Sequence, residues 1–377
     1  MAGSKDRIAV IGPVPPYRGG IAQHTSMLCQ ALREQADIMV VSFKRQYPRW
    51  LFPGESDIDP SAPQLVEPKA HYLIDSLNPL TWRDAVDKIV AFKPDFIVIP
   101  WWTVFWFCCF YFIASAARRH GLPVRFLCHN VTDHETARWK TFLTRILLRK
   151  GDSFVVHSQT DKAALVNLVS GARVSVCPHP IYEQFPEPTE TLPRRRGLEL
   201  LFFGLVRPYK GLDVLIEVMG RLKDEDVFLT VAGEFWTDKD ETLAHIDRLG
   251  LGEHIEVIGR YVSETEAANL IARADFVVLP YRSATASGVV PLAYRYDTPV
   301  IASRVGGLPE IVIDQESGVL VDPGSVDSLL DAIKPLSRER AQAMSQSITE
   351  LKKSMTWERL ATAIVGAPTR MSQNSRR

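Results

Sequence analysis

The chain has 377 residues, too many for one ordinary core and enough for two α/β domains of roughly 180 residues each. It is 46% hydrophobic and 23% charged, with 44 basic residues against 44 acidic ones, a globular-enzyme composition that points away from nucleic acid as a partner. Cys29, Cys108, Cys109, Cys128 and Cys177 show neither an even framework nor CxxC spacing. They are expected to be reduced thiols of a cytoplasmic protein, with no disulfide or metal implied.

In chain order, RIAVIG (7–12) is too short for the apolar core of a secretion signal and reads as a first strand. DIMVVSF (37–43), DFIVIP (95–100), VRFLCH (124–129), SFVVHS (153–158) and RVSVCPH (173–179) continue a series of buried parallel strands alternating with helical patterns. The 22 residues from Phe96 to Ala117 carry no charge and are long enough to span a bilayer. Their division into KPDFIVIPWW and TVFWFCCFYFIASAARRHG nevertheless reads as a strand and the helix after it. The next pattern, RWKTFLTRILLRKG, sets Trp139, Phe142, Leu143, Ile146 and Leu147 on one face. Arg138, Lys140, Arg145, Arg149 and Lys150 flank that face. An interfacial helix on an anionic membrane and a helix packed on a sheet both fit. Residues 183–197 (EQFPEPTETLPRRRG) have the composition of an exposed linker, and the domain boundary is expected there. A second strand series follows: LELLFFG (198–204), VFLTVAG, IEVIG, DFVVLPY, TPVIAS and GVLVDP. GPVPPYRG (12–19) and GLVRPYKG (204–211), each after the first strand of its series, match at five of eight positions. In a doubly wound sheet this turn meets ligands at the carboxyl ends of the strands.

The first turn lacks GxGxxG, and the second strand ends in Ser42, Phe43, Lys44 and Arg45 rather than an acid. Neither a Walker loop nor a GxSxG elbow is present. After Gly204 stand Arg207 and Lys210, with Gly211, ahead of an amphipathic helix. Two cations on an exposed turn at a helix amino end make a pyrophosphate site in physical terms, although a solvated turn gives the same string. The DxD-like string from Asp57 to Asp59 lies in a Pro-rich loop without strand context, which disfavours a metal site there.

FFGLVRPYKGLDVLIEV, VAGEFW, IEVIGRYVSETEAANLIARADFVVLPY and TPVIASRVGGLPEIVIDQESGVLVDPGS, in this order, resemble the retaining GT-B glycosyltransferases of family 4. The resemblance covers almost the whole second half, and the N-terminal half follows the family in order but less closely. It implies two Rossmann-like, doubly wound parallel-sheet domains facing a cleft. These are an acceptor-side domain (1–185 plus 355–377) and a nucleotide-sugar domain (186–354). A final helix over 355–365, with a stripe of Trp357, Leu360, Ala361 and Ile364, crosses back to the first domain. The resemblance further implies that Arg207 and Lys210 hold the donor pyrophosphate, that Gly19 and Gly20 approach it, and that His129 reaches the reacting sugar. His157 is an alternative to His129, and Tyr261 or Val262 borders the base. Position 205 is Leu where the family has Arg. The two motif glutamates are missing, their places falling at Leu292 and near Ala284 or Thr285. Ser287, Gly288 and Val289 are expected to take over part of the donor contact, unless Ser287 is simply a helix cap. The implied reaction moves a sugar from a nucleotide-diphosphate sugar to a lipid-linked or polysaccharide acceptor, with retention and without metal or cofactor. A sugar-nucleotide epimerase and a non-catalytic scaffold are the rival readings. The expected place is the cytoplasm, peripheral on a membrane.

Overall fold

A computed structural model describes residues 5–48, 57–58, 67, 69–131 and 137–367. The chain forms two compact units, one of residues 1–178 and 357–377, the other of residues 179–356. The division expected at 185/186 falls inside the second unit, where Ile181, Tyr182 and Phe185 are buried. The supposed linker is tied down as well: Asn269 Oδ1 accepts from the Thr189 amide (2.8 Å), and Arg194 grips Asp275 (2.6 Å).

The first unit runs β1 (Asp6–Ile11), α1 (Gly20–Gln35), β2 (Ala36–Arg45), β3 (His71–Asp75), α2 (Pro79–Phe92), β4 (Phe96–Trp101), α3 (Phe107–Arg119), β5 (Val124–Cys128), α4 (Arg138–Leu148), β6 (Ser153–Val156), α5 (Gln159–Leu168) and β7 (Val174–Val176). Its seven strands pair in parallel in the order β3-β2-β1-β4-β5-β6-β7. All six residues of β4 are buried, as a strand covered on both faces requires. The uncharged stretch from Phe96 is thus divided between β4 and α3. Helix α3 turns Cys109, Phe110, Ile113, Ala114 and Ala117 into the core at helical spacing. No helix among the described residues is long and apolar enough to cross a membrane. Strand β3, HYLID, went unread in the sequence. It is a short edge strand with only Ile74 fully buried, so alternation gives no signal.

The second unit runs β8 (Leu198–Phe203), α6 (Leu212–Arg221), β9 (Val227–Ala232), α7 (Lys239–Leu249), β10 (Ile255–Ile258), α8 (Glu264–Arg273), β11 (Phe276–Leu279), α9 (Val289–Arg295), β12 (Val300–Ser303), α10 (Leu308–Ile311), β13 (Gly318–Val321), α11 (Val326–Ile333) and α12 (Arg338–Lys352). Its parallel order, β10-β9-β8-β11-β12-β13, reverses direction between β8 and β11. That reversal is the point where open α/β sheets bind ligands, and the first unit has its own between β1 and β4.

Helix α13 (Trp357–Val365) then rejoins the first unit, packing on α1. Trp357, Leu360, Ala361 and Ile364 are its buried residues, the stripe read from the sequence. Arg125 of β5 donates to the carbonyls of Ile364 and Val365, closing the helix end with a charge-assisted bond.

Candidate functional site

In the second unit the loops after β8 and β11 meet at the switch point. Gly204 (φ +92°) ends β8 in a conformation that disfavours any side chain, and a Cβ there would lie 3.4 Å from Lys210 Nζ. Residues 208–210 form a 3-10 turn, closed by the Lys210 amide on the Arg207 carbonyl (2.9 Å). Gly211 (φ +67°) begins α6, pressed so close to the Pro280 carbonyl that a Cβ would collide with it. This contact locks the Lys210 turn against the β11 loop. The Arg282 amide reinforces it by donating to the Tyr209 carbonyl (2.7 Å).

Lys210 is therefore a buried residue, not the exposed turn residue expected. Its Nζ stands 5.7 Å from the centre of the Tyr281 ring. Burial, with Arg207 nearby, pushes the ammonium down to about 7 from its ordinary 10.5. Arg207 is partly exposed, its guanidinium stacked 3.2 Å over Trp236. Ser287 Oγ accepts from the Val289 amide (3.2 Å) and lies 3.5 Å from the Tyr281 hydroxyl. The N-cap of α9 is Gly288, so Ser287 stands just ahead of the cap, holding the first helical amide and neighbouring the Lys210 site. A Cβ on Gly288 would meet the Tyr182 hydroxyl at 3.1 Å, so glycine is what lets Tyr182 approach. Val289 borders Gly204, its Cγ2 3.8 Å from where a Cβ would stand. Leu292, at the place of a motif glutamate, is buried on α9. Tyr261 stands apart from this group, exposed after the edge strand β10, while Val262 beside it is buried.

In the first unit Gly19 (φ +103°) caps α1 with open space around it, and both Gly19 and Gly20 are exposed. The amide of His129 donates to the Trp101 carbonyl (2.8 Å), and Asn130 Nδ2 to the Trp102 carbonyl (3.1 Å). These bonds hold the end of β5 beside the end of β4. His129 is 8% exposed and stands edge-to-face with His24 of α1, ring centroids 4.4 Å apart. His157 is also brought in, but buried, its Nδ1 3.0 Å from the Cys177 carbonyl oxygen. Burial outweighs that bond and pushes the His157 ring down to about 4, so it is neutral near pH 7. Of the DxD-like string, Asp57 hydrogen-bonds the Arg18 amide through its carbonyl (2.8 Å), and Asp59 lies outside the described residues.

Residues 187–353 match the family described as glycosyl transferases group 1, and residues 18–185 match glycosyltransferase family 4. The chain belongs to the group 1, or family 4, glycosyltransferases. Its two parallel-sheet units are those of the GT-B fold. Sucrose-phosphate synthase of Thermosynechococcus elongatus superposes with a TM-score of 0.73 at 19% identity, over 96% of this chain and 98% of that one. Anabaena HepE in complex with UDP gives 0.71 at 16% identity, with 96% and 98% covered. At these identities the likeness is one of fold. GDP-mannose:glycolipid 4-beta-D-mannosyltransferase of Xanthomonas campestris pv. campestris is 30% identical over 238 residues, 60% of this chain and 64% of that enzyme. The chain spans about half to two thirds of the length of the first curated relatives it matches.

Arg207, Lys210, Ser287, Gly288 and Val289 come from two distant loops to one switch point. Gly19, Gly20 and His129 lie in the other unit. Sequence reasoning missed Tyr281 beside Lys210, Tyr182 beside Gly288, and His24 beside His129. Tyr281 immediately follows a strand-ending Pro280, and His24 follows the Gly19–Gly20 pair within the first helical turns; both positions carried a readable signal.

Proposed function

We propose that this chain transfers a sugar from a nucleoside-diphosphate sugar to a lipid-linked or polysaccharide acceptor, with retention and without a metal cofactor. The observation that carries the reading is the buried Lys210 ammonium, held over Gly204 beside Arg207 at the switch point of the second sheet. A buried cation held at a cost in stability suits meeting a diphosphate that gains charge as it leaves, which supports this reading.

In the reaction so envisaged, an acceptor hydroxyl oxygen bonds to the anomeric carbon from the face that the diphosphate departs. The carbon–oxygen bond to the diphosphate breaks, and the hydroxyl proton passes to a phosphate oxygen. Lys210 and Arg207 neutralise the leaving diphosphate, electrostatic preorganisation of a kind worth ~3 to 4 kcal/mol per donor group. Gly19 and Gly20, open to approach, accommodate the phosphates, and Ser287, Gly288 and Val289 flank the same leaving group. Tyr261 borders the base, and His129 stands at the sugar.

The acceptor assignment is supported by the Xanthomonas relative, whose name includes GDP-mannose and a glycolipid, and by α4. That helix buries Leu147 and Leu148 but leaves Trp139 (58% exposed) and Phe142 (62% exposed) outward, beside exposed Arg138, Arg145 and Arg149. Exposed aromatics among arginines suit docking on an anionic leaflet.

A thermal-shift panel with GDP-mannose, UDP-glucose and their free diphosphates tests the donor, followed by a transfer assay with the stabilising donor. One sugar nucleotide is expected to raise the melting temperature and to be consumed. Stabilisation without turnover, with glycolipid and polysaccharide acceptors present, would make the chain a sugar-nucleotide-binding scaffold instead.

A further inference from the structure

Three imidazoles converge in the interior of the first unit, each from a different element: His24 on α1, His129 after β5 and His157 after β6. Their ring centroids lie 4.4, 5.4 and 5.5 Å apart, and one nitrogen from each falls within 4.8 Å of the other two. Three imidazoles are a ligand set suited to zinc and its neighbours in the transition series.

The surroundings orient two of these rings. His157 Nδ1 faces the Cys177 carbonyl at 3.0 Å, so Nδ1 carries the proton and Nε2 the lone pair. This is the outer-shell arrangement that metal-binding histidines commonly show. Trp357 of α13 packs against His24, ring centroids 4.7 Å apart at 66°, and restricts that ring. Beyond His157, Ser158 Oγ donates to the buried Asp161 carboxylate at 2.6 Å, which places a negative charge at the start of the following helix. An ion about 2.0–2.1 Å from each nitrogen in tetrahedral geometry needs them roughly 3.3 Å apart, so the rings have at most about 1.5 Å to close. Small changes in side-chain torsion supply that.

We propose that His24, His129 and His157 form a binding site for a divalent transition-metal ion of the zinc class, entered from the side of His129. His129, 8% exposed against 1% for His24 and 3% for His157, is the most solvent-accessible of the three. The ion is an inhibitor rather than a cofactor, because it engages the imidazole that stands at the sugar. That consequence rests on the proposed role of His129; the site itself does not.

The test uses untagged full-length protein, stripped with a chelator and titrated with Co²⁺, whose visible absorption reports a tetrahedral nitrogen site, and then with Zn²⁺ in competition. One equivalent of Co²⁺ is expected to bind and to be displaced by Zn²⁺. His157→Asn keeps an N–H for the Cys177 carbonyl but withdraws Nε2; it and His24→Gln should each weaken Co²⁺ binding at least about tenfold. A wild-type protein without a saturable Co²⁺ band would overturn the site. So would unchanged affinity in either variant, with circular dichroism showing a native fold. Transfer is measured on the same samples. Zn²⁺ bound at one equivalent without loss of transfer would keep the site and remove His129 from the sugar, so the two readings fail separately.

Discussion

Lys210 carries opposed demands under the proposed role, since the burial that would strengthen its attraction for a diphosphate also makes its charge costly. Its folded pKa, about 7 against an ordinary 10.5, means that the unfolded chain binds more protons between those values. Stability of the ligand-free protein should therefore rise with pH from about 7 towards 10.5, the cost of the buried charge being fully present below 7. Donor binding should do the reverse. If the ammonium meets the donor diphosphate as proposed, donor affinity should fall up to about tenfold per pH unit above 7, while Lys210→Ala shows a flat profile. Calorimetric titration across pH 6–9 checks this, and the variant should lose transfer by at least about a hundredfold. Turnover within about threefold of wild type would remove Lys210 from the pyrophosphate site. For His129→Ala the expected outcome is a fall in kcat with little change in donor KM, read from steady-state kinetics.

At the scale of elements, α13 shows what periodicity reveals. A stripe of four apolar residues marked both its helical state and its inward face, and all four are buried. Leu360 is fully buried, so Leu360→Ala should cost about 2–5 kcal/mol, measured by denaturant unfolding. Helix α4 is where periodicity stopped being informative. An interfacial helix and a sheet-packed helix share one spacing, and the fold divides the apolar set, with Leu147 inward and Trp139 and Phe142 outward. Reversing Arg145 and Arg149 to Glu should release the protein from anionic vesicles in co-sedimentation and leave neutral vesicles unaffected. Equal pelleting of both proteins with anionic vesicles would refute docking through α4. The linker segment shows a related limit: it is irregular and largely exposed, as read, but its anchoring is invisible in its composition. Proline and charge mark irregular backbone, but Thr189 and Arg194 are anchored by Asn269 and Asp275, about eighty positions further along.

Across the whole molecule, each unit has a core of its own, one built around β1, β4 and α3, the other around β8, β11 and α6. The first also depends on the chain end, because α13 belongs to it. Truncation after residue 356 should therefore lower the melting transition of the first unit far more than that of the second, which differential scanning calorimetry resolves. The order of short apolar runs marked the alternating α/β architecture, and the RPYKG string marked the turn that follows β8, because parallel strands and the turns that end them are written in local patterns. The sequence could not say that Lys210 is buried, that Tyr281 and Tyr182 stand beside the same switch point, or that His24, His129 and His157 share one interior. Those facts depend on residues dozens to more than a hundred positions apart meeting at the ends of parallel strands, and only the packed sheet brings them together.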